Sequence, residues 1–439
     1  MTALKDVLPN ESETVKAIYA HYKKVGDSES TRGYLGASSI GHYCERYLWY
    51  QFRYCCKPNF SGRMYRLFET GNLEEARFVK NLRAIGCEVH DTDERRLMER
   101  TPQFKVTAFG GHLKGYMDGC ALGIPEAPKT WHVLEFKTHS AKSFRRLKKE
   151  GVMYSKPQHY AQVQIEMHLT GMKRALYLAR NKDTDDLYSE RIRYDKTEAE
   201  ALMEKAERII TAQSPPDRIS VRPDFYQCNW CDARGICWGK DSKPALPVPV
   251  LSCRQCCHAT PLMDGKDRNW CCRKLELPID GDTPCKDHLT LPGLLEAFAE
   301  PGNYGGNDIN QEWIVFHNSD GTTWKHGNAE GCFSSEELTK LPASALGNKT
   351  IQKAKDLLGA TVGEDILSRY PKEDSRIIWE GNAEKLERAW KAAYNSNLTE
   401  LKPIAQTLTP ECDAAELEGG RVVIVWKETG TAEIREGKE

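Results

Sequence analysis

The chain has 439 residues, 28% charged and 40% hydrophobic, the balance of an ordinary globular protein with room for about three domains. A formal net charge of −1 supplies no global field to draw in a polyanion, so nucleic-acid binding would depend on a local basic patch. No apolar run approaches the ~20 residues that span a bilayer, and the opening MTALKDVLPNESE carries no segment of signal-peptide type, so a cytoplasmic protein is expected.

In chain order, residues 1–60 read as helical, including the stretch SSIGHYCERYLWYQFRY around Cys44. A second helix is predicted over 67–86, with Leu67, Phe68, Leu73, Phe78, Val79 and Leu82 near a 3.6 period and Gly86 at its end. The pattern then turns to strands. Phe104–Phe109 and Leu113–Ala121 flank Gly110-Gly111, a hairpin signal, and Trp131–Thr138 follows. A basic helix over 141–149 comes next, then a helix over 156–170 opened by Pro157. Two strands, Ala175–Arg180 and Tyr188–Tyr194, and a helix over 196–213 close the series. This order predicts a mixed α/β (α+β) core of one sheet with flanking helices. The segment 241–250, with three prolines, reads as a linker. Beyond it lie a cysteine-rich unit, 251–290, and an accessory α+β domain, 291–439. In that last part TIQKAKDLL reads as helix, and RIIWE and RVVIVWKETGTAEIRE as strand and hairpin.

The chemistry concentrates in WHVLEFKTH, 131–139. Strand side chains alternate, so Leu134 and Phe136 face the core while Glu135 and Lys137 point together to the other side. Asp118, in GYMDGCALG, lies on the preceding strand, and a hairpin can bring the two carboxylates together. Two carboxylates and water suit Mg²⁺ (or Mn²⁺), which lowers the pKa of a bound water and neutralises phosphate charge. Lys137 would orient that water or meet the developing charge. A surface strand with an incidental Glu–Lys pair is the plainer reading. The neighbouring Asp-Gly and the polar helix that follows argue against it.

Asp118, Glu135-x-Lys137 and a downstream helix bearing glutamine resemble the PD-(D/E)XK nucleases over residues 35–240. The nearest branches are the RecB/AddB-type nuclease domains, the phage lambda exonuclease family and the CRISPR-adaptation exonucleases. The resemblance implies a restriction-endonuclease-like core. It also implies a further acidic metal ligand on an earlier helix, which falls on Glu75 in Gly71-x-x-x-Glu75, where many RecB-type members carry histidine. The family proline is replaced by Met117. The family glutamine falls on Gln162 or Gln164 in YAQVQ, beside Tyr160. Two residues apart on a helix, they cannot both face the site, and Gln162 is the preferred one. A neutral amide there can bond a phosphate or a water without repelling the substrate.

Directly after the acidic strand, Lys142, Arg145, Arg146 and Lys149 share a helix face by spacing and could contact successive DNA phosphates. Phe144 and Tyr154 are candidates for stacking on single strands.

Ten of the sixteen cysteines lie at position 44 or between 228 and 285. In a reducing compartment such cysteines argue for metal rather than disulfides. Cys228-x2-Cys231-x5-Cys237 needs a fourth ligand, and Cys44 is the best candidate. Four thiolates suit a [4Fe–4S] cluster or Zn²⁺ alike. The resemblance to AddB-type and CRISPR-adaptation exonucleases, with one cysteine before the domain and three after it, implies iron–sulphur. Cys87 and Cys120 read instead as small buried hydrophobes. In 253–288, Cys253, Cys256, Cys272 and Cys285 form a zinc-ribbon-like Zn²⁺ set, with Cys271 an alternative to Cys272 and His258 and His288 as spares.

The resemblance implies a Mg²⁺-dependent exonuclease acting on DNA ends or single strands in recombination or repair, phage-encoded or cellular. It would work with a recombination partner or as a homo-oligomer. An endonuclease on the same core and a non-catalytic, metal-stabilised DNA-binding protein are the rival readings.

Overall fold

The computed structural model describes residues 12–28, 32–93, 103–239, 245–306, 311–329 and 331–341, and the strands at 375–379, 403–408, 412–417, 421–426 and 432–436. The chain opens with helix α1 (Glu13–Asp27), the two-residue strand β1 (Leu35–Gly36), α2 (Glu45–Phe52) and α3 (Gly62–Ala84). The expected all-helical start is therefore interrupted. Residues 32–44 are turns around β1, and residues 53–61 form no helix. The chain continues through β2 (Glu88–His90), β3 (Phe104–Ala108), β4 (Leu113–Met117), β5 (Cys120–Leu122) and β6 (His132–His139). Then come α4 (Ala141–Ser155), α5 (Pro157–Thr170), β7 (Arg174–Asn181), β8 (Leu187–Arg193), α6 (Lys196–Thr211) and the short α7 (Arg234–Trp238).

These elements form a mixed sheet in the order β2-β5-β6-β7-β8. Only β6 and β7 are parallel, and the chain returns between them through α4 and α5. The other pairings are antiparallel. One face of the sheet packs Leu134, Phe136 and Leu176 against Phe78, Val79 and Leu82 of α3. Phe78 stacks on Phe136 at 5.1 Å. The other face packs Val133, Ala175 and Tyr177 against Phe144 and Leu147 of α4 and Val163 and Met167 of α5. Of the apolar positions expected to line the earlier helix, Leu73 is instead mostly exposed, and Phe68 packs on Phe60 and Tyr65.

The expected continuous strand 113–121 is broken. Asp118-Gly119 separates β4, which joins a small sheet β1-β4-β3, from β5 in the main sheet. Gly119 has φ +139, and a Cβ there would come within 2.5 Å of the His90 carbonyl, so glycine is required at this crossing. Gly110-Gly111 does turn between β3 and β4, but it also receives another segment. A Cβ on Gly110 would lie 2.2 Å from the Leu262 carbonyl, and Gly110 accepts the Arg268 N–H at 2.8 Å.

The cysteine-rich segment supplies that contact. It holds β9 (Ala259–Pro261), β10 (Trp270–Cys272) and β11 (Leu277–Ile279), paired β11-β10-β9. Trp270 is buried and stacks on Phe52 of α2 at 5.6 Å. The buried Arg53 guanidinium lies over both Trp49 and Trp270 and donates to the carbonyls of Ala212 and Arg254. Within the three-proline segment, Ala245 and Leu246 are fully buried and donate backbone hydrogen bonds to Leu341 and Leu338. One hydrophobic cluster runs from α2 and α6 through these residues into 289–341.

Further on lie β12 (Glu300–Gly306), β13 (Gln311–His317) and β14 (Thr323–Gly327), one antiparallel sheet, followed by α8 (Ser335–Lys340). A five-stranded antiparallel sheet, β15 (Ser375–Trp379), β16 (Pro403–Leu408), β17 (Cys412–Leu417), β18 (Arg421–Trp426) and β19 (Ala432–Glu436), has the order β15-β19-β18-β17-β16. The hairpin read in RVVIVWKETGTAEIRE is β18–β19. The helix expected at TIQKAKDLL lies outside the described residues. Among the described residues no helix is long and apolar enough to cross a membrane.

Candidate active site

The acidic residues read from the sequence meet where β4 leaves its sheet. The Asp118 carboxylate, at the break after β4, accepts the backbone N–H of Phe136 at 2.7 Å. This bond pins Asp118 to the middle of β6, between the two residues that face the site. Glu135 is fully buried on the face that meets α5, and Lys137, on the same face, forms an ion pair with its Oε1. From the helix, Gln162 donates its amide to Glu135 Oε2 at 2.9 Å.

Helix α5 is buried on nearly every side, from Ala161 through Met167. Such a helix must place its polar residues against partners. Gln162 and Gln164 part company as their spacing requires. Gln164 donates to the Arg193 carbonyl and accepts the Asp195 N–H, tying α5 to the β8–α6 junction away from Glu135.

Sequence reasoning missed one member of the cluster. Glu166, one turn after Gln162, is also fully buried, and its Oε1 accepts the same Gln162 amide at 3.0 Å. Its Oε2 has no hydrogen-bond partner. The available signal was the i, i+4 spacing of Gln162 and Glu166 on an otherwise apolar helix.

The electrostatics describe a site short of positive charge. Burial chiefly, with Asp118 and Glu75 adding, pushes the Glu135 carboxyl up to about 7 against the pull of Lys137. Glu75, partly buried on α3, is pushed up to about 7 by burial and by Asp118. Asp118 is raised by burial, with Lys137 and the Phe136 N–H opposing. Glu166 lies well above the carboxylate range because it is buried and faces Glu135. Burial works against the Lys137 ammonium, but Glu135 and Asp118 outweigh it and hold its pKa above the usual lysine range. The neighbouring Glu74 is engaged elsewhere, in an ion pair with Arg180.

Four carboxyls around one ammonium, one of them with an unpartnered buried oxygen, make a donor set of hard oxygens that fits Mg²⁺ or Mn²⁺. Lys137 now occupies Glu135 Oε1. Among the described residues no three His, Cys, Asp or Glu side chains are already drawn together as a formed metal site. Beyond Lys137 on the same strand face, His139 and, from α5, His159 both bond the Tyr177 hydroxyl, at 2.9 and 2.8 Å. Burial holds both imidazoles neutral, with pKa values near 4 and 2.

Immediately after β6, α4 exposes Lys142, Arg145, Arg146 and Lys149. Arg146 pairs with Glu150. Of the two candidate stacking rings, Tyr154 is exposed and Phe144 is buried against the sheet.

The cysteines gather in two places. Cys44, at the N-cap of α2, lines a pocket of about 390 Å³ with Cys228, Cys231 and Cys237. Burial raises the Cys44 and Cys231 thiols, the latter to about 11, and the neighbouring thiols add to it. Four soft donors around one pocket suit a soft metal centre. Tyr43, Tyr226 and Trp230 stand exposed at its rim. In the second set, Cys253 is pushed up to about 12 by burial and by Cys256, Cys285 and Cys272. Cys271, next to Cys272 along β10, is half-buried where Cys272 is buried. His288 is engaged with Ser335 and the Ser252 carbonyl.

No protein-family model and no curated protein matches the chain. Among solved structures, SSO0001 aligns at 15% identity over 52% of this chain and 98% of its own, with a TM-score of 0.32. The alkaline exonuclease LHK-Exo from Laribacter hongkongensis aligns at 13% identity over 43% of this chain and 90% of its own, with a TM-score of 0.27. Its complex with dAMP gives 13%, 44%, 90% and 0.29. At these scores the likenesses decide nothing about this chain, and its function is argued from its own residues.

Proposed function

We propose that the protein is a metal-dependent deoxyribonuclease of the PD-(D/E)XK kind. Glu75, Asp118 and Glu135 would hold Mg²⁺ or Mn²⁺, Lys137 would act on the reacting phosphate or its attacking water, and Gln162 would position Glu135. The observation that carries the reading is the arrangement on β6. Glu135 and Lys137 share one face, and Asp118 is bonded to the backbone between them. When bound, the ion lowers the pKa of a water and neutralises charge on the phosphate oxygens.

The chain's own residues do the rest. With an ion held by the carboxylates, the Lys137 ammonium would be available to orient the attacking water or to meet the developing charge. Gln162, already bonded to Glu135, fixes that carboxylate without adding charge. The exposed cations of α4 take successive phosphates and set the register of the strand. Cys44, Cys228, Cys231 and Cys237 hold a [4Fe–4S] cluster that ties α2 to the segment after α6. Cys253, Cys256, Cys272 and Cys285 hold Zn²⁺. Action at DNA ends, in recombination or repair, is the favoured mode.

The test of mode is digestion of end-labelled linear DNA beside covalently closed circular DNA, with Mg²⁺ and anaerobically purified protein. Loss of the linear substrate with survival of the circle supports an exonuclease. Nicking or linearising of the circle replaces that reading with an endonuclease. Binding without cleavage of either leaves a DNA-binding protein.

A further inference from the structure

We propose that Glu166 is a positioning residue of this centre: by holding the second hydrogen of the Gln162 amide, it locks that amide, and through it Glu135, in the orientation that receives a divalent cation. The inference rests on the metal-centre reading above. A glutamine amide can present either its NH₂ or its oxygen to a neighbour, and the two orientations have nearly the same shape. Here one nitrogen bridges two carboxyls, Glu135 Oε2 at 2.9 Å and Glu166 Oε1 at 3.0 Å. A flipped amide would aim its oxygen at two carboxyl oxygens that accept here, and would lose both bonds. Glu166 therefore favours the orientation in which Gln162 donates to Glu135.

Packing does not account for a glutamate at this position. Glu166 is fully buried, its neighbours Val163, Ile165 and Met167 on α5 are apolar, and its Oε2 has no hydrogen-bond partner. A buried acceptor left without a partner is destabilising, and an apolar side chain of similar length would avoid that loss. Groups that orient a metal ligand from behind typically change metal affinity or activity 10–100-fold when removed. Glu166 stands in that relation to Glu135, one amide away.

The test measures Mn²⁺ affinity, from the free-Mn²⁺ spin-resonance signal, and DNA hydrolysis. It compares the full-length wild type with Glu166→Gln, Gln162→Leu and the double variant. Glu166→Met serves as a second replacement that keeps length and burial. The expected result is Mn²⁺ binding weakened about 10-fold or more by Glu166→Met, which cannot accept the amide hydrogen, with Glu166→Gln, which can, falling between it and the wild type. kcat should fall, KM for DNA should change little, and the melting temperature should not drop. Because Glu166 acts through Gln162, the double variant should match Gln162→Leu alone. Wild-type Mn²⁺ affinity in both Glu166 variants overturns the proposal. So does a double variant whose losses multiply, since that would make Glu166 act independently of Gln162. If the wild type binds Mn²⁺ but cleaves no DNA, the nuclease reading falls while the Mn²⁺ comparison still decides the role of Glu166. If Glu135→Ala takes up Mn²⁺ as the wild type does, both fall.

Discussion

Replacing Glu135 by glutamine should separate stability from function at the candidate centre. Glu135 is fully buried and its carboxyl is raised from an ordinary 4.5 to about 7. An acid raised on folding binds more protons in the folded state than in the unfolded one. Stability is therefore full below pH 4.5 and is lost as pH rises towards 7. With about 1.4 kcal/mol for each pKa unit, ionised Glu135 costs the metal-free protein about 3 kcal/mol, and about 2.5 kcal/mol of this develops between pH 5 and 8. Glutamine keeps the shape and cannot ionise. The pull of Lys137 on ionised Glu135 is already contained in the value of about 7, and terms that do not depend on pH cancel when one variant is compared at two pH values.

Relative to wild type, Glu135→Gln should therefore gain on the order of 5–10 °C in melting temperature on going from pH 5 to pH 8 in metal-free buffer. The same variant should be inert on DNA. Mg²⁺ should raise the wild-type melt and leave the variant's unchanged, because only a ligand that binds the folded state stabilises it. Thermal melts by fluorescence across that pH range give the answer. A melting difference independent of pH would refute the argument that this carboxyl is strained by burial.

Three further outcomes follow from the same geometry. Arg145→Glu and Lys149→Glu should weaken DNA binding at all sequences alike. Each phosphate contact removed should lower the slope of log K against log salt by about 0.9, read by fluorescence anisotropy. Cys44→Ser and Cys231→Ser should each lower iron content and visible absorbance, whereas Cys272→Ser, but not Cys271→Ser, should lower bound zinc, both by elemental analysis. Phe136→Ala removes the ring stacked on Phe78 and should destabilise by about 3–5 kcal/mol with Glu135 and Lys137 still in place, measured by denaturant unfolding.

Alternation along one strand made Glu135 and Lys137 legible, because a period of two fixes which side chains share a face. The opposition of Gln162 and Gln164 was legible for the same kind of reason on a helix. Glu166 was not. Its helix is buried all round, so no polar face marks it out, and its role depends on what stands opposite. The break at Asp118-Gly119 looked like part of one strand because both flanks are strand-like and only the crossing beside His90 demands the glycine. Likewise Gly110-Gly111 carries a local turn signal, yet its tightest contacts come from residues 262–268, far along the chain. The proline-rich segment at 241–250 has the composition of a linker, while Ala245 and Leu246 are buried by α8, a contact between distant segments that composition cannot report.

The central claim is that Asp118, Glu135 and Lys137 form a metal-dependent centre for cutting DNA. Its most direct test is the rate of cleavage of a labelled linear duplex by wild type in Mg²⁺, by wild type in chelator, and by Glu135→Ala in Mg²⁺. The account predicts cleavage in the first case only. Cleavage that survives the chelator, or that Glu135→Ala performs as well as wild type, would contradict it.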